Sequence, residues 1–434
     1  MPSTTVAAPA KTMTRIKPVV PPKGGSAKRT VCRTCGSPDL HLFLDLGVTP
    51  MANAFLTEDD LRKPEPKFPL SAHYCGNCGL VQVLDVVDPS LLFSHYTYFS
   101  SASKPMVDHF AEVAADLHKT YLTDPGDLIL EIGSNDGIML KNLVGKSRLV
   151  GIDPADNIAD IAAKNGVTTI PRFFNPHNAS MIRELFGGAK VVFAANCFAH
   201  IDDIDGIMEG VTKVLDDDGV FVFENHRFTD MVKSKCFDQI YHEHLCFYTL
   251  RPIEHLMDRF GMRVIDARTI PTHGESFQIH AARKGSSYAE KPSVAKVRAE
   301  EAGMGLNDPK TYTKLAKEVD ELCKAMVKML KDFKAQGKRI IGYGAPGKGN
   351  TLLNYCGIDG SILEYVVDTT PIKQGRYTPG THIPIRSPEV LKTDTPDYCL
   401  LLSWNYADAI LKKEEPLRKR GVKFILPVPR LEVV

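Results

Sequence analysis

Four cysteines in two matched pairs constrain this chain more tightly than any other feature. Cys32-Arg33-Thr34-Cys35-Gly36 is answered further on by Cys75-Gly76-Asn77-Cys78-Gly79. Two intervening residues let both thiolates of a knuckle reach one ion, and the glycine after each pair permits the tight turn beneath it. Four thiolates close a tetrahedral shell, the arrangement that structural Zn²⁺ takes, with no position left for a catalytic water. Two redox motifs or two disulfides are the competing readings; matching knuckle turns in one short stretch speak against both. The other cysteines, Cys197, Cys236, Cys246, Cys323, Cys356 and Cys399, are scattered. No dense disulfide framework is laid out, so a reducing, cytoplasmic setting is expected.

A chain of 434 residues is too long for one core and implies roughly two to four domains. It is 43% hydrophobic and 24% charged, ordinary for a globular protein. A net charge of +1 offers no footprint for nucleic acid or a membrane surface, and no apolar run reaches spanning length. Five pieces follow from the patterning. Residues 1–30 are basic, rich in Pro, Ser and Thr, without acid or apolar leader, and read as a disordered tail with a transit peptide as the minor alternative. Residues 31–90 form the zinc-binding domain. Residues 91–290 alternate strand-like and helix-like segments. Residues 291–338 are a linking helical segment, with Leu315, Val319, Leu322, Met326, Leu330 and Phe333 at three- and four-residue steps. Residues 339–434 alternate strands and helices again. The expected class is α/β: a small zinc module, a central Rossmann-like domain and a C-terminal Rossmann-like domain.

The central region opens on Leu128-Ile129-Leu130-Glu131-Ile132-Gly133-Ser134-Asn135-Asp136-Gly137, an apolar strand, a Gly-bounded turn and a predicted helix from Ile138. A second strand, Leu149–Asp153, ends in an acid placed to accept from ribose hydroxyls. The dinucleotide fingerprint is absent. One early glycine preceded by an acid suits a ligand without pyrophosphate and with a zwitterionic end, such as S-adenosylmethionine. Glu131, Gly133, Asn135, Gly137, Asp153 and Asn196 are the candidate donor-binding residues, the last at the end of Val191–Asn196. Strand ends line the ligand crevice in open sheets, so His200, just beyond, is a candidate too, though a lone histidine in an apolar stretch is more often a satisfied core residue.

The C-terminal region opens on Arg339–Gly347, a strand followed by a complete GxGxxG, and Tyr365–Asp368 again ends in acid. Read alone, this is a dinucleotide site. It nearly matches a phosphate-binding P-loop, but Gly349 stands where Ser or Thr would hold Mg²⁺. Gly-rich amides at a helix start bind pyrophosphate, and Lys348, Lys373 and Arg376 supply countercharge.

Between these turns lies Phe237-Asp238-Gln239-Ile240-Tyr241-His242-Glu243-His244. Four consecutive proton-handling side chains downstream of a cofactor turn point to proton transfer beside a bound ligand. A structural histidine cluster or a metal site is the bland alternative, although consecutive side chains diverge in either a strand or a helix.

Taken together, the two cysteine pairs, LEIGSNDG, FDQIYHEH, Gly342-Tyr343-Gly344-Ala345-Pro346-Gly347-Lys348-Gly349-Asn350-Thr351 and Lys373-Gln374-Gly375-Arg376-Tyr377-Thr378-Pro379-Gly380-Thr381 resemble the nucleotide-deoxysugar C-methyltransferases, a family similar to the D-tetronitrose and mycarose C3-methyltransferases. The resemblance runs in order from about residue 30 to the C-terminus. It implies S-adenosylmethionine as methyl donor, structural Zn²⁺, and a nucleotide diphosphate sugar (dTDP- or similar) whose diphosphate sits on the C-terminal turn. The implied reaction removes the proton beside the ketone of a 4-keto deoxysugar and methylates that carbon, expected to be C3. His244 would be the base, since neutral imidazole suits the task near neutral pH. Glu243 would orient a ring or bind a hydroxyl. Tyr241 and Tyr98 would donate to the enolate oxygen, with Tyr96 the competitor of Tyr98 for that place and otherwise a substrate contact. Asn350 and Tyr377 join Lys348, Lys373 and Arg376 as implied acceptor contacts. One departure is His273-Gly274-Glu275-Ser276-Phe277-Gln278, where the family tends to carry Gly-Gly-Ser; Glu275 puts the sugar's identity in doubt. A monomer without nucleic-acid or membrane partners is expected. The alternatives are an NAD-dependent sugar-nucleotide oxidoreductase and a non-enzymatic zinc-knuckle interaction protein.

Overall fold

The computed structural model describes residues 14–93, 101, 104–272 and 276–434. Tyr96 and Tyr98 lie outside the described residues, as does the His273-Gly274-Glu275 departure.

A seven-stranded sheet forms the centre, in the order Met262–Ile270, Ser276–Arg283, Leu215–His226, Ala189–Ala195, Leu128–Ile132, Arg148–Ile152, Thr169–Ile170. The last five strands pair in parallel, and burial along Leu128–Ile132 and most of Ala189–Ala195 explains why these two read as apolar runs rather than alternations. Ser276–Arg283 is wedged antiparallel between its neighbours. Strand order reverses between Leu128–Ile132 and Ala189–Ala195. That reversal opens a crevice at the carboxyl ends of those two strands.

The C-terminal sheet has six strands, Ile385–Arg386, Val366–Val367, Ile340–Tyr343, Tyr398–Leu401, Lys423–Leu426 and Glu432–Val433. Its parallel core reverses order at Ile340–Tyr343, so the second Gly-rich turn also lies at a switch point. Between the two sheets in chain order comes the Pro309–Ala335 helix, begun by the Asp308 cap and Pro309 and burying Tyr312, Leu315, Val319, Cys323, Met326 and Leu330 on one face.

The cysteine-rich region builds a four-stranded antiparallel sheet of Leu40–Pro50, Lys67–Cys75, Val81–Val83 and, from far along the chain, Cys246–Phe247. The last strand follows His244 directly. One apolar core contains Leu44, Leu70 and Val81 of this sheet, Phe237, Ile240 and Phe247 around the YHEH run, Tyr312 and Val319 of the long helix, and Ile340 and Leu352 of the C-terminal lobe. The run is thus held where all three lobes meet.

Two expectations are corrected. Residues 14–30 are not a disordered tail: Ser26–Lys28 pairs with Asp85–Val87, Arg29 is buried against Asp202, and Arg15 pairs with Asp203. The acid-free basic stretch is fixed by an acidic cluster at the start of the Ile204–Val214 helix, with Ile16 N–H donating to Asp205. The α-helix expected from Ile138 is a single 3₁₀ turn, Leu140–Leu143. Residues 138–144 lie between Gly137 and Gly145, both at positive φ, and the Asn142 side chain takes the Ile138 and Met139 carbonyls. Too little chain remains for a helix.

Candidate functional site

The four cysteine sulfurs lie within 4.8 Å of one another, with Cys32–Cys78 and Cys35–Cys75 at 3.5 Å. A tetrahedron with metal–sulfur bonds of about 2.3 Å has edges of about 3.8 Å, so the cage is of zinc size. Both knuckles close alike: Gly36 N–H donates to the Cys32 carbonyl and Gly79 N–H to that of Cys75, each glycine at positive φ. Arg33 is buried inside the first knuckle and reaches Asp202 and the Val83 carbonyl. Arg259 and Arg251 of the central domain hold the Thr34 and Asn77 carbonyls. The zinc site therefore sets the seating of the module on the methyltransferase-like sheet.

At the first switch point the donor turn carries Gly133 at φ 69°, Asn135 at 48° and Gly137 at 73°, and Asn196 faces it at 53°. Asparagine tolerates this left-handed region better than most residues, and strained backbone gathers at ligand sites. A Cβ at Gly133 would stand 3.3 Å from that of Cys197, so the two strand ends are in contact. On this turn and the facing strand end, Glu131 Oε2, Asp136 Oδ1 and Asn196 Oδ1 are buried without a protein hydrogen-bond partner. These acceptors suit a ligand with an ammonium group and hydroxyls, and S-adenosylmethionine carries both. Burial, then the charge of Asp153, pushes the Glu131 carboxyl well up; a cationic ligand would counter both effects.

Asp153 accepts from Asn135 N–H and Ala155 N–H, each at 3.1 Å. Its carboxylate keeps further lone pairs for ribose hydroxyls. Asp368 does the same at the second turn, accepting from Ala345 and Thr370 N–H at 2.7 Å. Asp153→Ala should weaken donor binding about ten- to a hundredfold, the usual cost of hydrogen bonds to a charged acceptor. Calorimetry with the methyl donor checks this; unchanged affinity would remove Asp153 from the site.

The YHEH run divides. His242 turns away, its buried Nε2 directed to the Phe68 and Pro69 carbonyls. Tyr241 and His244 turn inward, ring centroids 4.0 Å apart, and His200 lies 4.9 Å and His226 5.1 Å from His244. His244 Nδ1–H donates to the Gln239 carbonyl at 2.8 Å and His200 Nδ1–H to that of Glu243 at 2.7 Å. The His244 bond puts the lone pair of that neutral ring on Nε2. Burial holds His200 below its ordinary pKa, hence neutral at neutral pH. His200 belongs to the Phe198–His200 turn beyond Asn196, which brings the cluster to the donor crevice. His226 was not among the residues singled out above; its place at the carboxyl end of Leu215–His226 is the same signal that marked Asn196.

Glu243 Oε1 accepts from Asn53 Nδ2 at 2.8 Å, and burial raises its carboxyl. Asn53 belongs to a segment of the zinc module that runs past the second Gly-rich turn. Asn350 Nδ2 donates to the Ala52 carbonyl at 2.7 Å, Arg376 to that of Phe55 at 3.3 Å, and Tyr377 bridges to Leu56. Lys373 Nζ reaches the Ala345 carbonyl at 2.8 Å, over the Phe55 ring. Lys348 does not stand beside Lys373 and Arg376: it lies over the Trp404 ring at 4.8 Å, near buried Asp238, which accepts from the Trp404 indole.

Family models match the chain along most of its length: a zinc binding domain over residues 32–93, a methyltransferase domain over 107–267 and a C-methyltransferase C-terminal domain over 271–429. The chain is similar to C-methyltransferase NovU of Streptomyces niveus, 36% identical over 405 residues, which is 93% of this chain and 96% of that protein. Solved structures similar to part of it include an S-adenosylmethionine-dependent methyltransferase from Anabaena variabilis (16% identity, TM-score 0.35, 45% of this chain and 91% of that one). Another is magnesium protoporphyrin IX methyltransferase from Synechocystis with bound S-adenosylhomocysteine (14%, TM-score 0.33, 41% and 83%).

Proposed function

This chain belongs to the S-adenosylmethionine-dependent C-methyltransferases, and on that premise we propose that its acceptor is a nucleotide-linked 4-keto deoxysugar, methylated at the carbon beside the ketone, C3. The observation that carries this reading is the inward cluster of His244, His200 and Tyr241 next to the donor crevice. Carbon is a poor nucleophile until a proton leaves it, and a C–H beside a ketone is acidic enough for imidazole to remove. His244 Nε2 takes that proton. Its Nδ1–H bond to the Gln239 carbonyl holds the ring in the right tautomer and steadies the imidazolium formed. Tyr241, packed on the His244 ring, donates to the oxygen on which charge develops, and Tyr98 or Tyr96 would share this task. The donor would supply an electrophilic methyl, and Glu131, Asn196 and Asp153 would hold its ends.

The acceptor's diphosphate belongs to the C-terminal turn, supported by its switch-point position and by Lys373 beside Ala345. Arg376→Ala is expected to weaken sugar-nucleotide binding severalfold and leave donor affinity near wild type. Tightly copurifying NAD would favour an oxidoreductase instead. The acceptor assignment is tested by incubating the enzyme with a deuteromethyl donor and a panel of dTDP-linked 4-keto sugars. Mass spectrometry should find the labelled methyl on the sugar of one of them. Label on none, with turnover of an unrelated acceptor, would overturn it. Among the described residues no helix is long and apolar enough to cross a membrane.

A further inference from the structure

We propose that Asn53, contributed by the zinc module, is a positioning residue of the acceptor site, fixing Glu243 against the C-terminal Gly-rich turn so that all three lobes grip one nucleotide sugar. This rests on the acceptor reading above. Asn53 is solvent-exposed, yet its side chain is held from two sides. Its Nδ2 donates to Glu243 Oε1 at 2.8 Å. Its amide also lies over Gly347, where an added Cβ would stand 3.0 Å from both Nδ2 and Oδ1. Gly347 is the last glycine of the GxGxxG turn, and Glu243 is next to His244 in the chain. A single amide thus touches the carboxylate beside the base and the backbone that would meet diphosphate.

The flanking residues reinforce this arrangement. Ala52 is tied by Asn350, Phe55 by Arg376 and Lys373, and Leu56 by Tyr377. Anchors on both sides of Asn53 leave its amide little freedom, which is what a positioning group requires. A crevice lined by Thr49, Ala52, Tyr241, Asn350 and Thr351 continues the contact between module, catalytic run and turn. Asn53 is exposed and lies outside the apolar cores. Its value lies in the direction of the Glu243 carboxylate, which then accepts from a sugar hydroxyl on its remaining lone pairs.

The test uses the full-length zinc-loaded enzyme and the best acceptor of the dTDP-4-keto sugar panel. Asn53→Ala should raise the acceptor KM about tenfold, because a Glu243 side chain no longer held in place loses its hydrogen bond to the sugar hydroxyl. Zinc content and donor affinity should stay at wild-type values. Asn53→Asp, which sets a second carboxylate against Glu243, should be worse than Asn53→Ala. Asn53→Ala combined with Glu243→Ala should be no worse than Glu243→Ala alone, because both remove the same contact. Wild-type kinetics in Asn53→Ala, or losses that simply multiply in the double variant, would overturn the proposal. A wild-type enzyme inert on every 4-keto sugar nucleotide, while methylating another acceptor, would sink the acceptor reading, and this placement with it.

Discussion

Replacing Cys75 and Cys78 together by serine should abolish zinc binding and unfold the N-terminal module. The intact protein is expected to hold about one zinc per chain, as a single closed four-thiolate site does. The two serines leave half a shell. Structural zinc in small modules supplies on the order of 10 kcal/mol, as much as the whole stability of many domains. The effect should spread, because Arg259 and Arg251 hold carbonyls of the knuckles themselves and buried Arg33 joins the first knuckle to Asp202. Elemental analysis should find the metal gone, and limited proteolysis should cut between residues 31 and 90. Retained zinc, or an unchanged protease pattern, would contradict the assignment.

His244→Asn should cut methyl transfer by about 10²–10⁴, the usual contribution of a general base, while donor and acceptor still bind. The substitution keeps a polar side chain of similar reach and removes the nitrogen that takes the proton. Its structural cost falls on the bond with the Gln239 carbonyl and on ring packing against Tyr241, His200, His226 and Phe247. A variant working near the wild-type rate would move the base elsewhere, with His200 and Tyr241 first in line. His200 lies beside His244, ring centroids 4.9 Å apart.

What could be read from the chain was what local chemistry dictates. Two cysteines two residues apart need no fold to announce a metal knuckle, and Gly133 and Asp153 marked a donor turn because strand, turn and acid are contiguous in sequence. The 3₁₀ turn after Gly137 escaped because apolar residues alone do not show that Gly145 truncates the segment. The basic stretch before residue 31 looked unstructured because its acidic partners, Asp202 and Asp203, lie far along the chain. Asn53 carries no motif at all; only the crossing of the zinc module over the second turn gives it a role. Within YHEH, the chain could not say that His242 faces the zinc module while Tyr241 and His244 face His200, since that division depends on Cys246–Phe247 joining a sheet built mostly from residues 40–83.

In the mechanism proposed here, His244 makes a carbanion beside the sugar ketone. Proton exchange reads this directly. With a dTDP-linked 4-keto sugar, S-adenosylhomocysteine in place of the donor, and deuterated water, NMR should show deuterium entering at the carbon beside the ketone. That same carbon should bear the new methyl when the true donor is supplied, and His244→Asn should abolish the exchange without releasing either ligand. A methyl found on oxygen, or exchange that persists undiminished in His244→Asn, would contradict the account.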